Sequence, residues 1–358
     1  MNQNMEPDCR GIVRFAIVGC GHIGKRHLEM VSRDPRGCVV ALCDVRDRAE
    51  LNLPEEAAQL PFFQSIEELL SSGLDIDVVS ICTPNGLHGH MGCLALSAGY
   101  HVLIEKPIVL DLHEGELLRE AATQSKRRIF GVLQNRYTPS SIWLKNLIGS
   151  GRLGKVYDVR MDCLWNRDER YYLPRNWHGT ADMDGGTLFT QYSHFVDLLT
   201  WWFGPIDKLR FADFANYSHG NLIDFEDSGE VAFDFVSGAK GRFSYSTAVY
   251  GRNMEIALTV LSEKGCIRLG GAFLNEIQHC EVAGYQVPKM PVSAPGNQYG
   301  GYSGSAQNHH LVIRHVVASL LGEEAEVVGL EDGLGVVRTI QQIYDHPAYR
   351  SYSKKSGK

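Results

Sequence analysis

Gly19-Cys20-Gly21-His22-Ile23-Gly24 has the spacing G-x-G-x-x-G, which lets backbone N–H groups close around a pyrophosphate. In that chemistry one glycine makes a tight turn, one admits the phosphates, and one lets a helix sit against a strand. Asp44, twenty positions after Gly24, could accept hydrogen bonds from the adenosine ribose hydroxyls, and its charge would repel a 2′-phosphate. That favours NAD, while Arg46 nearby keeps NADP open. Thr83-Pro84-Asn85-x-x-His88 and Glu105-Lys106-Pro107 each follow an apolar run directly. A lysine at the carboxyl end of a sheet, desolvated beside a cationic nicotinamide, loses basicity towards working pH. It could then take the proton of a substrate hydroxyl or bond a developing oxyanion. The plain readings are a strand-to-helix turn for His88 and a solvated surface pair for Glu105-Lys106. Further along, Asp184-Gly185-Gly186 opens a helix on which Thr187, Thr190/Gln191, His194 and Asp197 share one polar face. A single helical histidine is usually structural. His194, set beside Thr and Gln, is an acid/base candidate.

The elements that must hold these groups show in the periodicity. Apolar runs at residues 13–19, 39–43, 78–82, 102–104 and 128–133 read as buried strands. Between them, 23–31, 66–70, 87–98 and 112–122 read as helices, with Ser65 as N-cap of the second. This alternation predicts an α/β Rossmann domain, a doubly wound parallel sheet covered on both faces. After residue 135 the pattern changes. Tyr157, Val159, Met161, Cys163 and Trp165 alternate with polar residues, as do Val231, Phe233 and Phe235, and Phe243, Tyr245 and Thr247 after a turn at Gly238. Residues 256–261 and 266–269 form a second hairpin around Glu263-Lys264-Gly265, and helices are expected near 188–203 and 306–321. The reading is a nucleotide domain over 1–135 and, over 136–358, an α+β domain with an open, mainly antiparallel sheet.

Composition narrows the function. The 358 residues carry 35 Lys+Arg against 42 Asp+Glu, a formal net charge of −7, with no basic run to neutralise nucleic acid. No stretch has the length of apolar residues that a membrane span needs, and residues 1–10 lack the apolar core of a signal peptide. The nine cysteines are irregularly spaced without a C-x-x-C, so reduced thiols in a cytoplasmic protein are expected, and no metal site.

Taken in order along nearly the whole chain, five elements resemble the glucose-fructose oxidoreductase / inositol dehydrogenase family of NAD(P)-dependent sugar oxidoreductases. They are residues 19–24 with His27, Thr83-Pro84-Asn85-x-x-His88, Glu105-Lys106-Pro107, Gln134-Asn135-Arg136 and the helix 185–197. The resemblance implies Lys106 as catalytic lysine, His194 as its acid/base partner and a cis bond before Pro107. It also implies NAD contacts from Gly19, Gly21, His22, Ile23, Gly24, Asp44, Thr83, Asn85, His88, Glu105, Lys106 and Gln134. Asn135, Arg136, Thr190 and Gln191 would then lie on the substrate side with Lys106 and His194. Many members carry Asp where this chain has Thr190. A neutral hydroxyl cannot hold an imidazolium as a carboxylate does, so Lys106 should carry more of the proton transfer. Residues 163–167, Tyr171-Tyr172, 177–180, 184–197 and 302–309 are similar to a branch that oxidises the 3″-hydroxyl of UDP-N-acetyl-glucosaminuronic acid for surface polysaccharides. There Asn166, Arg167, Tyr171 and Arg175 could bind pyrophosphate or carboxylate groups. The implied protein takes a small sugar substrate, uses NAD, and forms a homodimer or homotetramer. A dehydrogenase of a free sugar or polyol, and a non-catalytic dinucleotide-sensing regulator, are the alternatives.

Overall fold

The computed structural model describes residues 11–173, 177–293, 295–298 and 302–356, with residues 354–356 described by their backbone only. β1 (Val13–Val18), β2 (Gly37–Cys43), β3 (Phe62–Phe63), β4 (Val78–Ile81), β5 (His101–Ile104) and β6 (Ile129–Gly131) form a parallel sheet ordered β3-β2-β1-β4-β5-β6. Their side chains are apolar on both faces because α1 (His22–Arg33), α2 (Ile66–Leu70), α3 (His88–Ser97) and α4 (Leu112–Ser125) cover them. Ser65 caps α2, its hydroxyl accepting from the Glu68 N–H at 3.2 Å. The strand order reverses between β1 and β4, which opens a crevice at their carboxyl ends.

α5 (Pro139–Gly149) leads into a seven-stranded sheet of β7 (Val156–Leu164), β8 (Ile206–Ala215), β9 (Ser228–Phe235), β10 (Lys240–Ser246), β11 (Glu255–Ser262), β12 (Gly265–Gly270) and β13 (Glu276–Val282). Its order is β13-β12-β11-β7-β10-β9-β8, antiparallel throughout except for the parallel pair β7–β10. Both expected hairpins, β9–β10 and β11–β12, are present. The alternation works as read: Val159, Met161, Phe233, Phe243, Ile256 and Leu258 point into the core, while Asp158, Arg160, Glu230 and Arg242 lie on the other, open face. Against the inner face lies a helix whose first turn, Leu188–Tyr192, is wound as a π-helix before it continues as α7 (Ser193–Phe203). Between β7 and this helix is a single turn, α6 (Glu169–Tyr172).

After a short hairpin of β14 (Gly296–Gln298) and β15 (Ser303–Ala306) come α8 (His309–Leu320), α9 (Leu330–Tyr344) and α10 (Pro347–Ser356). Residues 303–306, expected to start a helix at their end, are a strand instead, and the helix begins at His309. α8 returns to the first sheet, where Val312, Ile313, Val316 and Val317 share a core with Leu28 and Val31 of α1. α5, β8, β13, α9 and α10 were not legible as elements. In α9 the cause is plain, since Gly333 and Gly335 dilute its helical signal and packing against α7, α4 and β6 offsets them. No helix among the described residues is long and apolar enough to cross a membrane, and the eight described cysteines are free thiols.

One carboxylate joins these layers. Glu226 is fully buried and accepts from the hydroxyls of Tyr245 at 2.9 Å, Tyr344 at 2.7 Å and Tyr349 at 3.1 Å, tying β10, α9 and α10 together. Burial pushes its pKa up from 4.5 to about 7, with the tyrosines pulling the other way. The folded state therefore holds this proton more tightly than the unfolded chain does. Its contribution to stability is full below the unfolded value and declines as pH rises through the folded one. Thermal midpoints measured between about pH 5 and about pH 8 should fall less in Glu226→Gln than in wild type. Parallel curves would contradict this.

Candidate active site

A cleft of about 720 Å³ opens where the carboxyl ends of β1, β2, β4 and β5 face the π-turn, α7 and the loops after β7. Its floor at the β1 end is the glycine turn. Gly19 has φ +89°, and a Cβ there would stand 2.6 Å from the Cys82 carbonyl oxygen. A Cβ on Gly24 would strike the carbonyl oxygen of Gly19, so strand and helix meet only through glycine. At Gly21 a Cβ would enter open space, which is the room a pyrophosphate needs beside the α1 N-terminus, an end without a side-chain cap. His22 and Ile23 line the same end. These features fit a dinucleotide.

Asp44 stands at the end of β2, as its spacing predicted. It accepts from the Cys20 N–H at 2.8 Å and from the N–H, Nε and Nη2 of Arg46, each at 3.0 Å. Burial works against its charge, but the Arg46 contacts hold the carboxyl below its ordinary value. The guanidinium that could have welcomed a 2′-phosphate is thus tied to the carboxylate that repels one. Asp44→Ser should release Arg46 and raise the ratio of kcat/KM for NADP over NAD by about tenfold or more. Steady-state rates with both cofactors would check it.

The other end of the cleft gathers the proton-handling groups. The Lys106–Pro107 bond is cis, as expected, and Lys106 Nζ donates to the Thr190 carbonyl oxygen at 2.6 Å. Burial lowers the Lys106 pKa, and Arg167 acts the same way, whereas Glu105 and Asp184 raise it. Glu105 accepts from the Lys106 N–H at 3.0 Å and contacts His27 Nε2 at 2.9 Å and His309 Nε2 at 3.4 Å. These three acidic and imidazole groups lie within 4.8 Å of one another, but His27 gives its other nitrogen to Ser80 at 2.7 Å, the pattern of a hydrogen-bonded chain. Asn85 Nδ2 donates to Thr190 Oγ1 at 2.7 Å and to the Asp184 carbonyl at 2.9 Å. His88 lies between the carbonyls of Pro107 at 2.7 Å and Thr83 at 3.0 Å, so it fastens two strand ends together while lining the cleft. His194 contacts the Gln134 amide at 3.2 Å and its buried Nδ1 has no partner among the described residues. Burial and the Lys106 charge push its pKa well below the ordinary imidazole value, so this ring is neutral.

Further along, Arg167 is 2% exposed. Its Nε donates to Gln191 Oε1 at 2.6 Å, Nη1 to the Asn166 carbonyl at 2.6 Å and to Asn253 Oδ1 at 3.3 Å, and Nη2 to the Ser303 carbonyl at 3.3 Å. Its guanidinium carbon is 4.8 Å from the Trp165 ring centre, 5.4 Å from Tyr171 and 4.9 Å from Tyr302. Gln191 Nε2 donates in turn to the Tyr171 hydroxyl at 2.7 Å.

Three expected substrate contacts do not reach the cleft. Arg136 is bound to Asp197 through Nε and Nη2 and to Asp332 through Nη1, at 2.6–3.1 Å, so its charge is already answered. Asn135 accepts from Ser305 at 2.6 Å, and Asn166 donates to the Val249 carbonyl at 2.6 Å. Arg175 lies outside the described residues. The expected single polar face of the helix is also divided: Thr190, Gln191 and His194 line the cleft, whereas Thr187 donates to the Glu226 carbonyl and Asp197 faces Arg136. The π-turn is the reason, because its extra residue shifts the helical phase between positions 187 and 197. Sequence reasoning passed over Asp184, His178 and Tyr302. All three lay in quoted motifs, but nothing local says that they converge on Lys106 and Arg167.

Residues 13–132 match the model of an oxidoreductase family with an NAD-binding Rossmann fold, and residues 142–268 match the GFO/IDH/MocA C-terminal domain. The chain belongs to the GFO/IDH/MocA oxidoreductase family. The chain is an NAD-dependent oxidoreductase acting on a sugar, with NAD as its cofactor. Among solved structures it is similar to the WlbA dehydrogenase of Bordetella pertussis in complex with NADH and UDP-GlcNAcA, with a TM-score of 0.82 and 30% identity over 95% of this chain and 97% of that one. The WlbA dehydrogenase of Chromobacterium violaceum, with the same two ligands, gives 0.82 and 30% over 96% and 95%. An inositol 2-dehydrogenase of Rhizobium meliloti is 30% identical over 287 residues, 78% of this chain and 82% of the relative.

Proposed function

We propose that this GFO/IDH/MocA enzyme oxidises a ring hydroxyl of a nucleotide-linked sugar acid, namely the C3 hydroxyl of UDP-N-acetyl-glucosaminuronic acid, in surface-polysaccharide synthesis. The observation that carries this reading is Arg167. A buried guanidinium pressed among three aromatic rings, with no carboxylate paired to it among the described residues, is costly to keep. Its four protein acceptors are neutral oxygens, so its charge is unanswered, and an anionic ligand entering the cleft, a carboxylate or a phosphate, would answer it. The two WlbA complexes with UDP-GlcNAcA, similar over nearly the whole chain, support the choice of anion.

In this reading the glycine turn and Asp44 hold the dinucleotide, and bound NAD supplies the hydride acceptor. Lys106 takes the proton of the reacting hydroxyl. Its amine form is reachable because burial depresses its pKa, and the ammonium it becomes is met by Glu105 and Asp184. The Thr190 carbonyl keeps Nζ in place. His194, neutral and with Nδ1 unpartnered among the described residues, orients the hydroxyl rather than ionising. Tyr171 and Gln191 extend the wall that Arg167 begins.

The test is turnover with NAD of UDP-GlcNAcA, UDP-GlcNAc and myo-inositol, followed by the absorbance of reduced cofactor. The uronate is expected to be oxidised well ahead of the other two. Preference for myo-inositol would replace this reading by the polyol one, which the similarity to inositol 2-dehydrogenase supports. The same reading places the enzyme in the cytoplasm as a homodimer or homotetramer joined through the open face of the second sheet, and light scattering of the purified protein measures that assembly.

A further inference from the structure

Behind Thr190, out of the cleft, lies the carboxylate of Asp184, whose charge acts on Lys106 and whose hydrogen bonds have no role in the scheme so far. Asp184 is 1% exposed. One of its oxygens accepts from the Thr190 hydroxyl and the other from the Gly179 N–H at 2.8 Å. Thr190 Oγ1 also accepts from Asn85, and the Thr190 carbonyl accepts from Lys106 Nζ. Thr190 is thus held on its side chain by Asp184 and Asn85, and holds Lys106 with its backbone. The π-turn makes this possible by bringing both the hydroxyl and the carbonyl of one residue into the same small space.

We propose that Asp184 is a positioning residue for proton transfer: through the Thr190 hydroxyl it fixes the carbonyl that holds Lys106, and its charge steadies the ammonium that Lys106 becomes. This rests on the reading of Lys106 as the base. The proton moves from the substrate oxygen to Lys106 Nζ, and Asp184 neither gives nor takes it. Burial pushes the Asp184 pKa up from 3.8 to about 6, against the Thr190 hydroxyl, the Gly179 and Gly186 N–H groups and the Lys106 charge. Other charged and titratable groups act on the pair. Lys106 feels Glu105 and Arg167 as well, and its charge acts on His178 and His194. Asp184 acts on the buried Tyr171 and Tyr172 hydroxyls. Of these, Glu105 and Asp184 are the ones that raise the Lys106 pKa.

The direction of the effect follows. Without the Asp184 charge Lys106 loses its proton more easily, so the amine form survives to lower pH. In Asp184→Asn the acidic limb of the kcat/KM profile for sugar oxidation should move down by about one pH unit. The plateau should drop as well, because Thr190 is less firmly held. Thr190→Val, which keeps volume but removes the relay hydroxyl, should move the limb the same way: Asp184 loses a donor and stays protonated to higher pH. The double variant Asp184→Asn/Thr190→Asp returns a carboxylate to the vicinity and should bring the limb back towards wild type. A second readout needs no turnover. The pH dependence of amine labelling at Lys106 in the free protein, measured by mass spectrometry, should shift down in Asp184→Asn and Thr190→Val alike. If Asp184→Asn does not fold, Thr190→Val decides. Profiles that superpose on wild type in both measurements overturn the proposal while leaving Lys106 as base. Turnover that survives loss of Lys106 overturns the reading beneath it.

Discussion

Lys106→Met should lower kcat by about 10³-fold while NAD still binds. The size follows from what the residue does: it is the group beside the cleft whose protonation can change during the reaction and whose position is locked at a single atom. Nζ sits 2.6 Å from the Thr190 carbonyl, and burial depresses its pKa without abolishing the ammonium, since Glu105 and Asp184 oppose the shift. Methionine preserves the length and most of the volume of the side chain, so loss of rate would not reflect a void. His194 cannot take over. Its pKa is pushed well below the ordinary value by burial and by Lys106, and it holds a proton poorly even when Lys106 is gone. NAD affinity should persist because the glycine turn and Asp44 lie at the other end of the cleft. Titration of NAD by protein fluorescence, beside stopped-time turnover and a thermal melt, separates the three effects. Near-wild-type kcat would remove Lys106 from the mechanism.

Arg167→Met should raise KM for UDP-GlcNAcA by about 10- to 10²-fold, since one charge-assisted hydrogen bond at roughly 1.5–3 kcal/mol is at stake. The sharper expectation concerns discrimination. Wild type should prefer the uronate to UDP-GlcNAc, whose sugar carries no charge, and the variant should lose most of that preference, because a carboxylate in place of the C6 hydroxymethyl is what distinguishes the two ligands. Arg167 also donates to Gln191 and the Asn166 carbonyl, so its removal could loosen the wall. Arg167→Lys controls for this: it keeps a charge but not the fork, and should fall between the other two in KM. Equal preference ratios in wild type and Arg167→Met would show that the guanidinium does not read the acid group.

The nucleotide half was nearly all legible. Residues 19–24 form a turn that only glycine tolerates, and that requirement is local, written in positions five apart. Strands buried on both faces appear as apolar runs, and Asp44 follows at the spacing that a strand and a helix impose. The second half was legible where alternation is strict, as in β7, β9 and β10, and illegible at β8 and β13. Edge strands have one neighbour only and expose more of their length, so their hydrophobic period weakens.

For the site, residue type and spacing alone determined which groups could do chemistry: the glycine turn, Asp44, Lys106 and His194. What only the tertiary structure decided is which of the nominated polar residues turn inwards. Arg136, Asn135 and Asn166 look no different in sequence from Arg167, and all four are bound to partners far along the chain. Arg167 alone among them faces the cleft. Lys106 meets Thr190 across 84 positions, and Asp184 is linked to Lys106 through Thr190, which lies on the π-turn. The physical reason is that periodicity reports how one element faces its core. Contacts between elements depend on how two sheets and their helices pack, and side-chain packing over such separations leaves no local trace.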